Sequence, residues 1–197
     1  MAINRTVVNW SRTIHIYLSI ILFVTLVFFS VTGITLNHVE LFTAEPEITE
    51  ITVDVLPVLP LDELGRIAPS PVLADFLSSE FDIDMAQVTL TQDDDFLFVD
   101  YRAPGSTVFI EIDLALAQAF GEKTDYGFIA ILNDLHKARD TTVLWNWLLD
   151  ISSVLLIVFS LAGFILLLPN NYRFKRVAAY SAAAMVLISI GYWLGTQ

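Results

Sequence analysis

The sequence predicts a membrane protein with three transmembrane α-helices and one external α+β domain. Three observations predict this fold class: three long apolar runs, an uneven distribution of charge between them, and alternating apolar residues in the longest connecting segment. Hydrophobic residues make up 55% of the 197 residues, and the mean hydropathy is +0.65. A chain this apolar is predicted to lie in a lipid bilayer rather than to be an ordinary soluble domain.

The first apolar run extends from Ile16 to Leu36 and contains 21 residues without a charge. As a helix it would be about 31 Å long, which matches the hydrocarbon core of a bilayer. A cleavable signal peptide would have a shorter apolar core, of roughly 7–15 residues, and then a site with small residues. This run ends instead in Asn-His-Val-Glu. We therefore predict an uncleaved transmembrane helix at residues 15–38, preceded by a short N-terminal segment at 1–14.

Two further runs predict a helical hairpin near the C-terminal end of the sequence. The second transmembrane helix is predicted at residues 143–168, with Trp145 and Trp147 at the membrane interface, where indole rings are enriched. A Pro-Asn-Asn sequence stops it and opens a short loop at 169–176. The third transmembrane helix is predicted at 177–195, antiparallel to the second.

The basic residues predict the orientation of these helices. The segments at 1–14 and 169–176 together carry five Lys or Arg residues and no acid, which is typical of cytoplasmic segments. Residues 39–143 carry 21 acidic and five basic side chains, a net charge of −16. We therefore expect a bacterial inner-membrane protein with a cytoplasmic N-terminus and a periplasmic C-terminus.

The acidic segment at 39–140 is predicted to form one small external domain. Helices are expected at 61–68 and 71–79, and the sequence YGFIAILNDLHKA predicts an amphipathic helix at 126–138. Between them, three antiparallel strands are expected, with turns at 93–95 and at the Pro-Gly of 104–105. Four apolar residues at a spacing of two are predicted to line the buried face of the sheet: Phe96, Phe98, Val108 and Ile110.

Several short motifs resemble those of PepSY-associated transmembrane proteins. They are RTIHIYLSI and TGITLNH around the first apolar run, DLHKARD before the second, and WNWLLD at its start. The stretch DDDFLFVDYRAPGSTVFIEID is similar to the paired strands of a PepSY domain, so the resemblance implies that the external domain is PepSY-like. One departure is Ala117, which stands where the family's Asp-x-x-x-Gly turn has glycine. We expect a remodelled hairpin there.

The three histidines are the candidate site residues. His38 and His136 are both predicted on the outer side, and two neutral imidazoles from two helices are what a six-coordinate b-type haem requires. The resemblance also implies haem, because larger relatives include di-haem ferric-siderophore reductases and membrane electron carriers. A metal ion held by the same two histidines is a second interpretation, although no third ligand is evident. The alternative is that both form only structural hydrogen bonds at the membrane boundary.

His15 and Asp150 complete the candidate set. His15 lies 23 residues before His38, or about 34 Å along a helix, so it cannot share a site with it. Asp150 lies within the second apolar region, where a carboxylate is costly and tends to have a partner. It is a candidate to orient the imidazole of His38 or His136. The other interpretation is that Asp150 lies among the lipid headgroups or caps the helix.

These observations predict two functions. The first is membrane electron transfer through b-type haem held by His38 and His136, at most as an electron-transfer subunit of a redox complex. The alternative is a non-catalytic interaction or assembly module whose external domain binds a partner protein. The expected partners are the bilayer and protein subunits in the membrane or periplasm. The chain has no Cys and no Gly-rich phosphate loop, and its acidity argues against nucleic acid.

Overall fold

The computed structural model of the chain describes residues 4–54, 56–61 and 66–196. The helices are α1 (Arg5–Asn37), α2 (Val39–Phe42), α3 (Pro71–Phe81), α4 (Gly127–Lys137), α5 (Val143–Leu167) and α6 (Asn171–Gly195). The strands are β1 (Glu47–Val53), β2 (Val88–Asp93), β3 (Phe96–Ala103), β4 (Ser106–Asp113) and β5 (Gln118–Asp125). Two compact units result: a helical unit of residues 1–27 and 149–197, and a sheet unit of residues 28–148.

Three helices, α1, α5 and α6, are long and apolar enough to cross a membrane, as the sequence predicts. In the helical unit, α5 ends at Leu167 just before Pro169, and α6 begins after a new cap at Asn170. The Asn170 side chain accepts a hydrogen bond from the backbone N–H of Arg173 at 3.0 Å. The rings of Phe164 and Phe174 meet edge to face with centroids 5.8 Å apart, so the two helices contact each other close to the turn.

The sheet unit contains a five-stranded antiparallel sheet in the order β1-β5-β4-β3-β2. The prediction of three strands was therefore too low, because β1 and β5 were not expected. The sequence of β5, QAFGEKTD, places the small residues Ala119 and Gly121 toward the buried face. Small and charged residues give little alternating apolar signal, which is why this strand was missed.

Helix α3 covers one face of the sheet and forms the core with it. The predicted helix at 71–79 is confirmed as α3, which begins where the Ser70 hydroxyl accepts from the N–H of Leu73. Its buried side chains include Leu77 and Phe81, which pack in one cluster with the inner residues of β3 and β4. A Cβ atom at Gly121 would lie 2.4 Å from the Phe81 ring, so the ring requires a glycine in β5.

The predicted buried face of the β3–β4 hairpin was half correct. Val108 and Ile110 are buried, but Phe96 and Phe98 lie on the opposite face of the sheet. The residues that share the core with Val108 and Ile110 are Leu97 and Val99. The sequence Phe-Leu-Phe-Val is apolar at every position, so an alternating pattern fits either face of the sheet. The pairing register with β4 decides which of these residues are buried.

Two predictions concern the connections between elements, and both remain untested. Ala117 adopts a left-handed conformation (φ 56°), and Asp113 Oδ1 accepts from the N–H groups of Ala115 and Leu116. The expected remodelling of this hairpin stays a prediction. The helix predicted at 61–68 includes residues 62–65, which lie outside the described residues. Leu61 and Ile67 form an isolated antiparallel bridge.

Candidate functional site

The C-terminal end of α1 contacts α4 through the two motifs TGIT and NDLH. His136 of α4 lies against α1, where its Nδ1 is 2.5 Å from the hydroxyl oxygen of Thr32. One turn away, the Thr35 hydroxyl donates to the Oδ1 atom of Asn133 at 2.7 Å. The amphipathic helix predicted at 126–138 is thus confirmed as α4, but its two buried residues are polar, Asn133 and Asp134. We call this set of contacts the α1–α4 contact.

The Thr32 hydroxyl contacts both His136 and the backbone of its own helix. It lies 2.7 Å from the carbonyl oxygen of Phe28 and 2.5 Å from His136 Nδ1. When the hydroxyl proton is donated to the carbonyl, His136 Nδ1 is the donor to Thr32, and a neutral ring keeps its lone pair on Nε2. The ring is also held by Phe29, edge to face at 4.7 Å, and it lies 4.0 Å from the Cβ position of Gly33.

Asp134 fastens α4 to the turn between β3 and β4. Its side chain is 7% exposed, and its Oδ2 accepts from the backbone N–H of Gly105 at 2.9 Å. Arg139 lies 2.7 Å and Lys137 3.6 Å from Oδ1, so two cations accompany the buried carboxylate. Gly105 has φ 73°, and a Cβ atom there would lie 2.4 Å from the side chain of Ile131. The turn can therefore approach α4 only with a glycine at this position.

His38 lies just beyond the end of α1, in a more exposed environment than His136. Its side chain is 48% exposed, and its Nδ1 lies 3.8 Å from the carboxylate of Glu40. Among the described residues, no hydrogen bond or ring contact joins His38 to His136. Across residues 4–54, 56–61 and 66–196, no group of three or more His, Cys, Asp or Glu side chains is placed so that it could hold a metal ion. The pairing of the two histidines around haem or a metal stays a prediction.

His136 is the candidate haem ligand whose ring is oriented by its neighbours. His136 presents Nε2 with its other nitrogen hydrogen-bonded, which is the usual arrangement of a ligating imidazole. A pocket beside the α1–α4 contact, lined in part by Leu36, Tyr126 and Asn133, has a volume of about 190 Å³. Ligand pockets typically have about 300–1,000 Å³. This pocket is smaller than that range, and neither His38 nor His136 is among its lining residues.

His15 belongs to the helical unit and packs on α5. Its Nδ1 donates to the carbonyl oxygen of Phe159 at 3.0 Å, and its ring stacks on the Phe159 ring at 4.2 Å. A Cβ atom at Gly163 would lie 2.9 Å from the imidazole, so glycine is needed for this close approach. Asp150 lies in the same unit and is exposed on α5. Its predicted pairing with His38 or His136 would join the two units and stays a prediction.

Together, these features define a class: a membrane protein with an antiparallel sheet domain that contacts the C-terminal end of the first long helix. Within that class, the chain belongs to the PepSY_TM-like family, whose family model matches residues 9–192. The resemblance seen in the sequence is thereby confirmed. No curated protein and no solved structure matches the chain.

Sequence reasoning missed four residues of the α1–α4 contact and its surroundings. They are Thr32, Thr35, Asn133 and Asp134, all of them buried. A polar residue in a helix is expected to be solvent-exposed unless its partner is known. Thr32 and its partner His136, like Thr35 and its partner Asn133, lie about 100 residues apart in the chain. The spacing of the two threonines on one face of an apolar helix was an available signal.

Proposed function

We propose that the chain is a membrane-anchored interaction module without catalytic activity. Its PepSY-like domain would lie outside the cytoplasm and bind a partner protein, and its histidines would be structural. The observation that carries the proposal is the α1–α4 contact, where Thr32, Thr35, Asn133 and His136 use their polar groups to hold the domain to α1. A domain held in this way is presented at a fixed position, which lowers the entropic cost of binding a partner.

The charge distribution supports an inner-membrane protein with the sheet unit outside. The basic residues of the N-terminal segment and of the α5–α6 connection favour the cytoplasm, and the acidic sheet unit favours the other side. A reporter fused after Gln197 should be active only if it functions outside the cytoplasm. Activity of a reporter that requires the cytoplasm would contradict this orientation.

One observation favours electron transfer as a second candidate. The Thr32 hydroxyl contacts Nδ1 of His136, which leaves Nε2 available as a ligand. If haem b were bound, it would supply one-electron chemistry, and His136 would hold it at one axial position. His38 is the candidate for the other position. Thr32 would then orient the His136 ring rather than fasten a domain.

An absorption spectrum of the purified chain, with and without added haemin, separates the two candidates. We expect a colourless protein that gains no Soret band, and a Thr32→Val variant that unfolds more easily. That variant leaves Nδ1 of His136 without its hydrogen-bond partner, at a cost of about 1–3 kcal/mol. Thr32→Ser should restore stability, because it keeps the hydroxyl. A stoichiometric Soret band that is lost in both His136→Ala and His38→Ala would establish the haem candidate instead.

Binding of a partner can be tested directly in intact cells. A photo-crosslinking residue placed at several exposed positions of the sheet unit should yield discrete adducts with another protein. The matched control places the same residue at exposed positions of α6. Adducts at none of the sheet-unit positions would contradict the proposed function.

A further inference from the structure

The sheet has an open face on the side opposite α3, and it carries four phenylalanines. Phe96, Phe109 and Phe120 are 38%, 49% and 51% exposed. Phe98 lies between them and stacks on Phe96 and Phe109, with ring centroids 6.3 and 6.0 Å apart. Exposed aromatic rings that stack in this way form a continuous apolar surface, and such patches mark binding sites.

Carboxylates alternate with these rings across the strands. The pairing register places Glu111 directly between Phe98 of β3 and Phe120 of β5. It likewise places Phe109 between Asp100 and Glu122. Directly opposite residues have Cβ atoms about 4.5–5.5 Å apart, so each of these rings has a carboxylate as its immediate neighbour.

One of these carboxylates, Glu122, also faces a carboxylate of the edge strand β1. Glu50 of β1 pairs with Glu122 of β5, and both residues are exposed. Like charges directly opposite each other destabilise a sheet, so this pair lowers the stability of the free domain. Arg102, the cation of this face, is held by Asp100 at 3.0 and 3.1 Å. A ligand that brings its own positive charge would relieve the repulsion between Glu50 and Glu122.

A pocket extends the open face at the Arg102 end. Its volume is about 450 Å³, and it is lined by Gln87, Thr89, Asp100, Arg102, Asp140 and Thr141. Both carboxylates of this lining have a cation beside them, because Asp100 is held by Arg102 and Asp140 lies 3.7 Å from Arg139. The excess negative charge of the open face therefore comes from Glu50, Glu111 and Glu122, next to the aromatic rings.

Three kinds of ligand could cover an aromatic face: a second copy of the chain, a lipid surface or a peptide. The negative charge beside the rings favours one of them. A second copy of the chain would bring Glu50, Glu111 and Glu122 against a surface of the same charge. Anionic lipid headgroups would be repelled in the same way. A cationic peptide would place guanidinium or ammonium groups over the rings and beside the carboxylates, and its apolar residues would cover the remaining ring surface.

We infer that the open face of the sheet is the docking surface for a cationic, apolar segment of the partner protein, with arginine or lysine alternating with apolar residues. This inference rests on the proposed function, because it names the surface and the partner chemistry of the interaction module. The rings provide apolar area and cation–π contacts, and Glu50, Glu111 and Glu122 provide the charge that the segment complements.

The test uses the full chain in nanodiscs of neutral lipid and two synthetic dodecapeptides. One peptide alternates Arg with Leu, and the other alternates Arg with Ser at the same charge. We expect the first to bind more tightly, in fluorescence anisotropy at physiological salt. Phe109→Ser/Phe120→Ser should weaken binding about tenfold. Glu50→Gln/Glu122→Gln should do the same while its melting temperature stays equal or rises, because the repulsion is removed.

The matched control is Asp75→Asn/Glu80→Gln, which removes the same charge from α3 on the opposite side of the sheet. It should change affinity by less than about twofold, since α3 lies away from the open face. Equal weakening by both charge variants, with none from the phenylalanine variant, would mean non-specific attraction and would overturn the inference. Self-association of the chain, or binding to anionic vesicles, that the phenylalanine variant abolishes would overturn it too.

Failure of this inference can be told apart from failure of the proposed function. If crosslinked adducts form in cells but only at positions away from the open face, and the Arg-Leu peptide does not bind, the inference alone is wrong. If no sheet-unit position yields an adduct, or a Soret band depends on both histidines, the proposed function is wrong.

Discussion

Both faces of the sheet carry large apolar side chains, yet these side chains have different roles. On the inner face, Leu97, Val99, Val108, Ile110 and Ile112 are at most 1% exposed and pack with α3. On the open face, three phenylalanines remain 38–51% exposed among carboxylates. Burial in the core stabilises the fold, whereas exposed aromatic area adds little to stability and is available for binding. Hydrophobicity alone therefore does not identify the core of this domain.

The largest expected effect comes from truncating a side chain of the inner face. Leu97→Ala should lower the free energy of unfolding by about 2–5 kcal/mol, because it opens a cavity under α3. Phe98→Ala, one residue further along β3, should cost only about 0.5–1.5 kcal/mol, the range of an aromatic pair contact. Thermal unfolding of both variants in detergent measures the difference. Equal costs would mean that the faces have been assigned incorrectly.

Much of the fold could be predicted from the sequence, because long apolar runs and charge asymmetry are local signals. The three long helices, α3, α4 and the turns before β3 and β4 follow from such signals. The face of β3 could not be predicted, because Phe96 to Val99 are all apolar and the register is set by pairing with β4. Strand β5 was missed because its inner residues are small, to leave room for Phe81.

The candidate site was predicted less well than the fold. The sequence identified His136 and the two motifs that meet at the α1–α4 contact. It did not indicate that Thr32 would bind His136, because the two residues are separated by 104 positions and no local pattern joins them. The burial of Asp134 was equally hidden, because it depends on the Gly105 turn and on Arg139. Long-range partners decide whether a polar residue of a helix is exposed or buried.

A change in stability of intermediate size, this time a gain, is expected at the turn between β4 and β5. Ala117 has φ 56°, a left-handed conformation that costs an alanine about 1–2 kcal/mol relative to the right-handed form. Ala117→Gly should therefore stabilise the domain, by about 0.5–1 kcal/mol after the greater flexibility of glycine in the unfolded chain is counted. Ala115→Gly in the same turn is the control, since Ala115 lacks a positive φ, and it should not stabilise. A lower melting temperature for Ala117→Gly would contradict this account.

The smallest expected effect concerns the charge pair of the open face. The bidentate hydrogen bond from Arg102 lowers the pKa of Asp100 below its ordinary value; burial opposes this shift in part, and the charge of Arg102 adds to it. Because the pKa is lower in the folded chain, the pair stabilises the fold above the pKa that Asp100 has when unfolded. That contribution is lost as the pH falls through the folded pKa.

Arg102→Gln should therefore raise the pKa of Asp100, as followed by carboxyl-carbon NMR of the chain in nanodiscs. Arg102→Lys should raise it less, because it keeps the charge but loses the bidentate geometry. The stability difference between the parent and Arg102→Gln should be present at neutral pH and vanish in acid. A pKa of Asp100 that is the same in all three proteins would show that the pair is not formed. Arg102 would then be an unneutralised cation on the open face, and the charge contrast between the two faces of the sheet would be weaker than the pairing implies.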